Sequence, residues 1–154
     1  MGRRRVLIGV PLVAAGDHGE QLAHLSAHYP ARMTSGQTEI WHNPRCTKSR
    51  NATAYLDTAG IQYTVRRYLD DPPTVEELGA VLDRLGKQPW DITRTGEQIA
   101  KDLGMAAWGR TPADRERWLA ALAEHPKLIQ RPIVLTADGG AVVARDEESL
   151  RSLD

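Results

Sequence analysis

Hydrophobic and polar positions change period several times along this chain, and each change predicts an element. Glu39–His42 places Ile40 and Trp41 in a short strand pattern, which Asn43-Pro44 breaks. From Thr47 the spacing turns helical: Ala52, Tyr55, Leu56 and Ala59 share a face, and Gly60 supplies the stop. Ile61–Tyr68, "IQYTVRRY", alternates and is rich in β-formers, so a second strand is expected. Strand–helix–strand at this spacing favours a parallel pair joined by a right-handed crossover.

"DDPPTVEEL" opens the next helix, with Thr74 as N-cap and Glu77 three residues on, a capping box. Val75, Leu78, Leu82 and Leu85 form its expected buried stripe, and Gly86 ends it. A short helical turn at Trp90–Arg94 and a weaker helix over Glu97–Leu103 follow. Thr111-Pro112 starts another helix, with Trp118, Leu119 and Leu122 facing inward and His125-Pro126 stopping it. Pro132–Thr136 and Ala141–Ala144 are apolar runs joined by Asp138-Gly139-Gly140, a hairpin, and Glu147–Leu153 reads as a closing helix. The order β-α-β, helical block, β-β, α predicts an α/β fold: a mixed sheet of thioredoxin-like type with helices on its faces.

Size and charge narrow the picture. The 154 residues suit one main domain with a core that needs no disulfide staple. Lys plus Arg number 20 and Asp plus Glu number 20, a balance that argues against non-specific nucleic-acid binding yet leaves room for a local anion site. A single cysteine rules out an internal disulfide, so a cytoplasmic setting is expected; a monomer is taken as the default. The basic residues are nearly all Arg, with Lys only at positions 48, 87, 101 and 127; a GC-rich genome explains that bias without any function.

The N-terminal "MGRRRVLIGVPLVAAG" has a basic start and an apolar run too short to span a bilayer. A secretory signal, an extra strand, or an upstream start codon would each account for it. The last is favoured, because Met33 precedes a polar lead-in to the first strand. Residues 1–37 are thus expected to be an extension and 38–154 the domain. His18, His24 and His28 in the extension lack companion ligands, and no metal site is expected.

Cys46 carries the candidate chemistry. The thiolate, not the thiol, is the nucleophile, and helix N-termini and nearby cations favour it. "NPRCTKSR" offers both if a helix starts at Thr47, since the unpaired amides of a first turn converge on an anion. A lone cysteine can also pack as a small buried hydrophobe. Arg45, Lys48 and Arg50 argue against that here, because they seek water. His42 sits at the strand end, and Ser49 has the spacing for a hydroxyl–thiolate hydrogen bond. Arg131-Pro132, directly before a strand, is a candidate cis peptide. Spacing alone does not select Arg94, Arg131 or Arg145.

These residues resemble the ArsC family of thioredoxin-fold arsenate reductases, the glutaredoxin-coupled kind. "HNPRCTKSRNA" (42–52) is similar to the family's active-site loop, and "YLDDPPTVEEL" (68–78) to the segment after its second strand. "DITRTGE" (91–97) carries Arg94 at the place of an anion-binding arginine, and "EHPKLIQRPIV" (124–134) holds Arg131 before the family's cis-proline, here Pro132. Arg145 falls where the family has its third arginine. The resemblance runs from about Thr38 to Leu153. It implies that Cys46 attacks arsenate, that Arg94, Arg131 and Arg145 hold the oxyanion, and that His42 and Ser49 keep Cys46 as thiolate. With no second cysteine, an external thiol must resolve the adduct. The resemblance implies glutathione, or another low-molecular-weight thiol, with glutaredoxin as partner and no bound cofactor. Arg45 and Lys48 make the loop more basic than versions with small residues there, which fits either tighter anion binding or solvated charge.

Two other readings share the fold. An Spx-like regulator that binds RNA polymerase also carries an Arg-Pro-Ile step, but many such proteins have Cys-x-x-Cys, and Ser49 occupies the second position here. An ArsC-like monothiol oxidoreductase acting on another substrate would keep the same loop. Arginines converging on the thiol would favour an oxyanion, and a hydrophobic groove a thiol peptide.

Overall fold

Residues 36–154 are described in the computed structural model, and their centre is a four-stranded sheet of order β2-β1-β3-β4. β1 (Thr38–Trp41) pairs in parallel with β2 (Tyr63–Arg66) and antiparallel with β3 (Ile133–Leu135), which pairs antiparallel with β4 (Ala141–Val143). Helix α1 (Thr47–Thr58) makes the expected crossover between the parallel strands. Helix α2 (Val75–Leu85), a short α3 (Gln98–Asp102) and α4 (Arg115–Glu124) form the helical block, and α5 (Glu147–Arg151) closes the domain. Tight 3-10 turns at Pro89–Ile92, Met105–Ala107, Pro112–Asp114 and Pro126–Leu128 link these pieces. This is the α/β, thioredoxin-like arrangement.

Alternation along the strands splits the core. Ile40 and its partner Val134 face Ala52 and Leu56 of α1, with Ala144 and Leu153 completing the cluster. On the neighbouring positions Trp41 and Ile133 are also fully buried. Helix α2 packs on α4 and on β4. Arg84 of α2 donates to the Gly139 and Thr136 carbonyls, both at 2.9 Å, which fixes the β3–β4 turn to the helix. Each fully buried Leu or Ile contributes about 1.5–3 kcal/mol relative to exposure.

Several expectations shift in detail. Ala59 is exposed, because α1 ends at Thr58 and the chain turns at Gly60 with φ +70. In α2, Val81 joins Leu78 and Leu82 at zero exposure, whereas Val75 and Leu85 are half-buried. The stripe therefore runs 78-81-82 rather than through the helix ends. β2 covers only Tyr63–Arg66 of the predicted 61–68, since pairing with the four-residue β1 sets its length. The capping box is formed: Thr74 accepts from the Glu77 N–H at 3.1 Å, and Gly86 closes the helix in the left-handed region.

Glu77 also has a tertiary partner that the capping pattern did not reveal. Its carboxylate forms a buried ion pair with Arg66, with Oε1 at 3.3 Å from Nη2 and Oε2 directly on Nη1. Arg66 further donates to the Asp71 and Pro72 carbonyls at 3.1 and 3.2 Å and lies 5.4 Å from the centre of the Trp41 ring. One arginine thus ties β1, β2, the following turn and α2 together. The expected extension, the Met33 start and the three leader histidines fall at or before residue 35, outside the described residues, apart from Gly36 and Gln37. The Gly36 N–H donates to the Ala137 carbonyl at 3.1 Å.

Candidate active site

The parallel strands β1 and β2 end side by side, and the His42 N–H donates to the Arg66 carbonyl at 2.8 Å. The chain beyond these carboxyl ends builds the site, the usual place for one beside parallel strands. Asn43 shapes the loop. Its carbonyl accepts the Cys46 N–H and its side-chain oxygen the Arg45 N–H, both at 3.0 Å. Arg50 reaches back to the Pro44 carbonyl at 2.8 Å.

This turn places Cys46 at the N-cap of α1, with extended backbone (φ −94, ψ 122). An N-cap side chain lies where the second and third amides of the helix point. The sulfur closes no cap hydrogen bond of normal geometry, yet it faces those two amides, of Lys48 and Ser49. Burial pushes the thiol up. The Ser49 N–H, the Arg131 guanidinium and the Lys48 N–H outweigh that and bring it below its ordinary value. The thiol is only partly buried, so a reactant can reach it.

Ser49 is fully buried, and its hydroxyl is engaged away from the sulfur. It lies 2.7 Å from His42 Nδ1 and accepts the Asn43 N–H at 3.0 Å. The Ser49 group facing Cys46 is the backbone N–H, while the side chain links His42 to the loop. Burial, with the charges of Arg67 and Arg50, lowers the His42 pKa and favours the neutral ring.

The arginines arrive from separate segments. Thr93 and Ile129 form an isolated antiparallel bridge, and the Arg94 N–H donates to the Leu128 carbonyl at 2.7 Å. That stitch brings the Arg94 loop beside the approach to β3. The Arg94 side chain pairs with Glu97 at 2.6 Å and reaches the Lys127 carbonyl at 3.3 Å. Arg131 lies before Pro132 across a cis peptide and contacts Cys46. Its Nε is buried and has no hydrogen-bond partner among the described residues. Arg145, just past β4, directs Nη1 at the Arg131 carbonyl. It thereby braces Arg131, and its other N–H groups are not committed by that bond.

Tyr68 is a site residue that pattern reading missed. Its ring is 1% exposed, and its hydroxyl lies beside the Asn43 side chain within the fields of Arg131, Arg94 and Cys46. Burial raises its pKa; the two arginines and Asn43 oppose the rise, and Cys46 adds to it. The phenol therefore stays a neutral donor. The signal lay in "IQYTVRRY": a tyrosine just past the carboxyl end of a strand paired in parallel with the one leading to the cysteine.

Among the described residues no group of three or more His, Cys, Asp or Glu could hold a metal ion. No helix among them is long and apolar enough to cross a membrane.

Comparison with known proteins places the chain in a family. Residues 41–153 match the ArsC family. The chain is 58% identical over 113 residues to an uncharacterized protein in the glnII region of Streptomyces viridochromogenes, covering 73% of this chain and 95% of that one. It is 38% identical over 118 residues to an arsenate reductase of Neisseria meningitidis serogroup B, covering 76% and 97%. The solved structure of an arsenate reductase from Vibrio cholerae superposes with a TM-score of 0.65 at 35% identity, covering 78% and 97%. With the family matching residues 41–153, which hold the cysteine loop and the three arginines, the protein belongs to the ArsC family.

Proposed function

We propose that this protein is an arsenate reductase with Cys46 as its nucleophile. The observation that carries the reading is the buried, unpartnered Nε of Arg131 beside a thiol whose pKa is lowered. A buried donor without an acceptor costs about 1–3 kcal/mol, a cost removed when an oxyanion accepts from it.

In this reading the Cys46 thiolate attacks arsenic, a hydroxide leaves and takes up a proton as water, and an S–As bond forms. Arg94, Arg131 and Arg145 hold the oxyanion and stabilise charge as it shifts. The Lys48 and Ser49 amides support the thiolate, and His42 and Ser49 keep the loop in shape. An external thiol then attacks the Cys46 sulfur. The S–As bond breaks with its electron pair left on arsenic, which falls from As(V) to As(III), and the two sulfurs become a mixed disulfide. A second thiol reduces that disulfide and frees Cys46. Glutathione, or another low-molecular-weight thiol, with glutaredoxin as partner, suits a chain with one cysteine. A cytoplasmic monomer goes with this reading.

The test is coupled arsenate reduction by the purified chain with glutathione, glutaredoxin and NADPH recycling. Turnover should vanish in Cys46→Ser and fall at least tenfold in Arg131→Ala. Wild-type protein without arsenate-dependent turnover, with several thiols tried, would reject arsenate as substrate.

A further inference from the structure

A groove of about 280 Å³ opens between the active-site loop and the turn after β2, lined by His42–Arg45 on one side and by Arg67, Leu69 and Asp70 on the other. None of Cys46, Tyr68, Arg94 or Arg131 lines it, so it is distinct from the proposed oxyanion cradle. Arg45 joins the two, as it immediately precedes the nucleophile.

The charges of the groove are open to a ligand. The Arg45 side chain is exposed and makes no ion pair among the described residues. Arg67 pairs with Asp70 at 3.2 Å, both 60–70% exposed, with values of 62% and 68%. Such an exposed pair is weak, and an incoming carboxylate competes with it readily. Leu69, 37% exposed, adds an apolar surface between the charges. The wall is firm, because Asn43 ties down the Arg45 amide and Arg50 the Pro44 carbonyl. The volume suits one arm of a small molecule better than a loop of a folded partner.

We infer that this groove docks the small thiol that regenerates Cys46, and that the thiol bears a carboxylate held by Arg45 and Arg67. The inference rests on the reading that an external thiol acts on Cys46. It adds where that thiol binds and which charge it carries. The sole cysteine makes an incoming thiol necessary, and the two guanidiniums select an anionic one.

The experiment leaves arsenate out. Reduced full-length protein is mixed with oxidised glutathione or with the neutral bis(2-hydroxyethyl) disulfide. In each case the Cys46 thiolate attacks one sulfur, the S–S bond breaks, a mixed disulfide forms and one thiolate leaves. Its rate is followed by mass spectrometry for wild type, Arg45→Gln, Arg67→Gln and the double variant. The double variant should slow reaction with oxidised glutathione about three- to tenfold, the scale of one or two exposed guanidinium–carboxylate contacts. Its rate with the neutral disulfide, normalised to alkylation by uncharged iodoacetamide, should stay within about twofold, the allowance for a changed local field. High salt should erase the wild-type preference for the anionic disulfide. Equal slowing with both disulfides, or none with either, would overturn the groove assignment. A preserved glutathione preference without arsenate turnover would instead reject the arsenate reading and leave the groove standing.

Discussion

His42 Nδ1 lies 2.7 Å from the hydroxyl of Ser49, and that same oxygen accepts the Asn43 N–H at 3.0 Å. One fully buried hydroxyl therefore anchors both the ring at the strand end and the backbone that turns into the cysteine loop. With His42 favoured in its neutral form, the Ser49 proton can be donated to Nδ1, which leaves the ring's own proton on Nε2.

Ser49→Ala removes an acceptor from a part-buried amide and releases the ring, but it keeps the Ser49 backbone N–H that faces the sulfur. The expected result is a loss of about 1–3 kcal/mol in unfolding free energy. The Cys46 pKa should rise less than in Arg131→Ala. Urea denaturation and the pH dependence of alkylation read the two effects separately. A larger thiol shift in Ser49→Ala than in Arg131→Ala would contradict the placement of the hydroxyl.

The thiol itself makes a second prediction. A lowered pKa means that the thiolate persists at pH values where a free cysteine is protonated. Alkylation of Cys46 should therefore rise to its plateau at lower pH than that of a free cysteine, whose midpoint is about 8.5. Arg131→Ala removes a hydrogen bond and a charge that stabilise the thiolate, so its profile should move to higher pH. By linkage, the lowered thiol contributes stability that is complete above the unfolded-state pKa and is lost as pH falls through the folded-state value. A wild-type profile matching free cysteine would remove the electrostatic argument for a poised nucleophile.

The sequence made the frame and the nucleophile legible for identifiable reasons. The cysteine loop, the Thr74–Glu77 box and the Arg131-Pro132 step are local patterns whose geometry follows from a few adjacent residues. Element types came through because the hydrophobic period changes sharply at Asn43-Pro44, Gly60 and Gly86. What was hidden depends on partners distant in the chain. The Arg66–Glu77 pair spans a strand and a helix, and its capping role alone explains Glu77 in the sequence. Tyr68 looked like the last residue of a strand, and only the parallel pairing of β1 and β2 brings it to Asn43 and the arginines. Arg145 resembled an oxyanion ligand, and its contact with the Arg131 carbonyl requires the folded hairpin.

Tyr68→Phe keeps the buried ring and deletes the hydroxyl beside Asn43. If that hydroxyl donates to the bound oxyanion, kcat/KM for arsenate should fall about fivefold, the scale of one neutral hydrogen bond of about 1 kcal/mol. The unfolding midpoint should change little, since packing is retained. Because the Tyr68 pKa is raised, its deprotonation should contribute no alkaline limb below the ordinary tyrosine range in the wild-type pH profile. Unchanged kinetics with normal stability would assign Tyr68 to packing alone.

The Arg66–Glu77 pair joins the sheet to α2. Glu77→Ala would leave a guanidinium that is 5% exposed with only the half-exposed Asp71 carboxylate, 3.5 Å from Nε, as its counter-ion, and would also open the Thr74 capping box. Breaking a buried pair from one side costs up to about 3–5 kcal/mol, and the remaining Asp71 contact should hold the loss toward the lower end. Glu77→Gln keeps the hydrogen-bonding shape and loses only the charge, so it should cost less. Replacing both partners at once, Arg66→Met with Glu77→Leu, removes the stranded charge and should recover part of the loss of either single change. Chemical denaturation of the wild type, Arg66→Met, Glu77→Leu and the double variant gives the coupling energy directly. If the Arg66 and Glu77 changes prove additive, Glu77 acts only as a cap, and Arg66 is held by Asp71 and the Asp71 and Pro72 carbonyls instead. A non-additive cycle, with alkylation of Cys46 unchanged, would identify the pair as the tie that holds the strand ends beneath the cysteine loop.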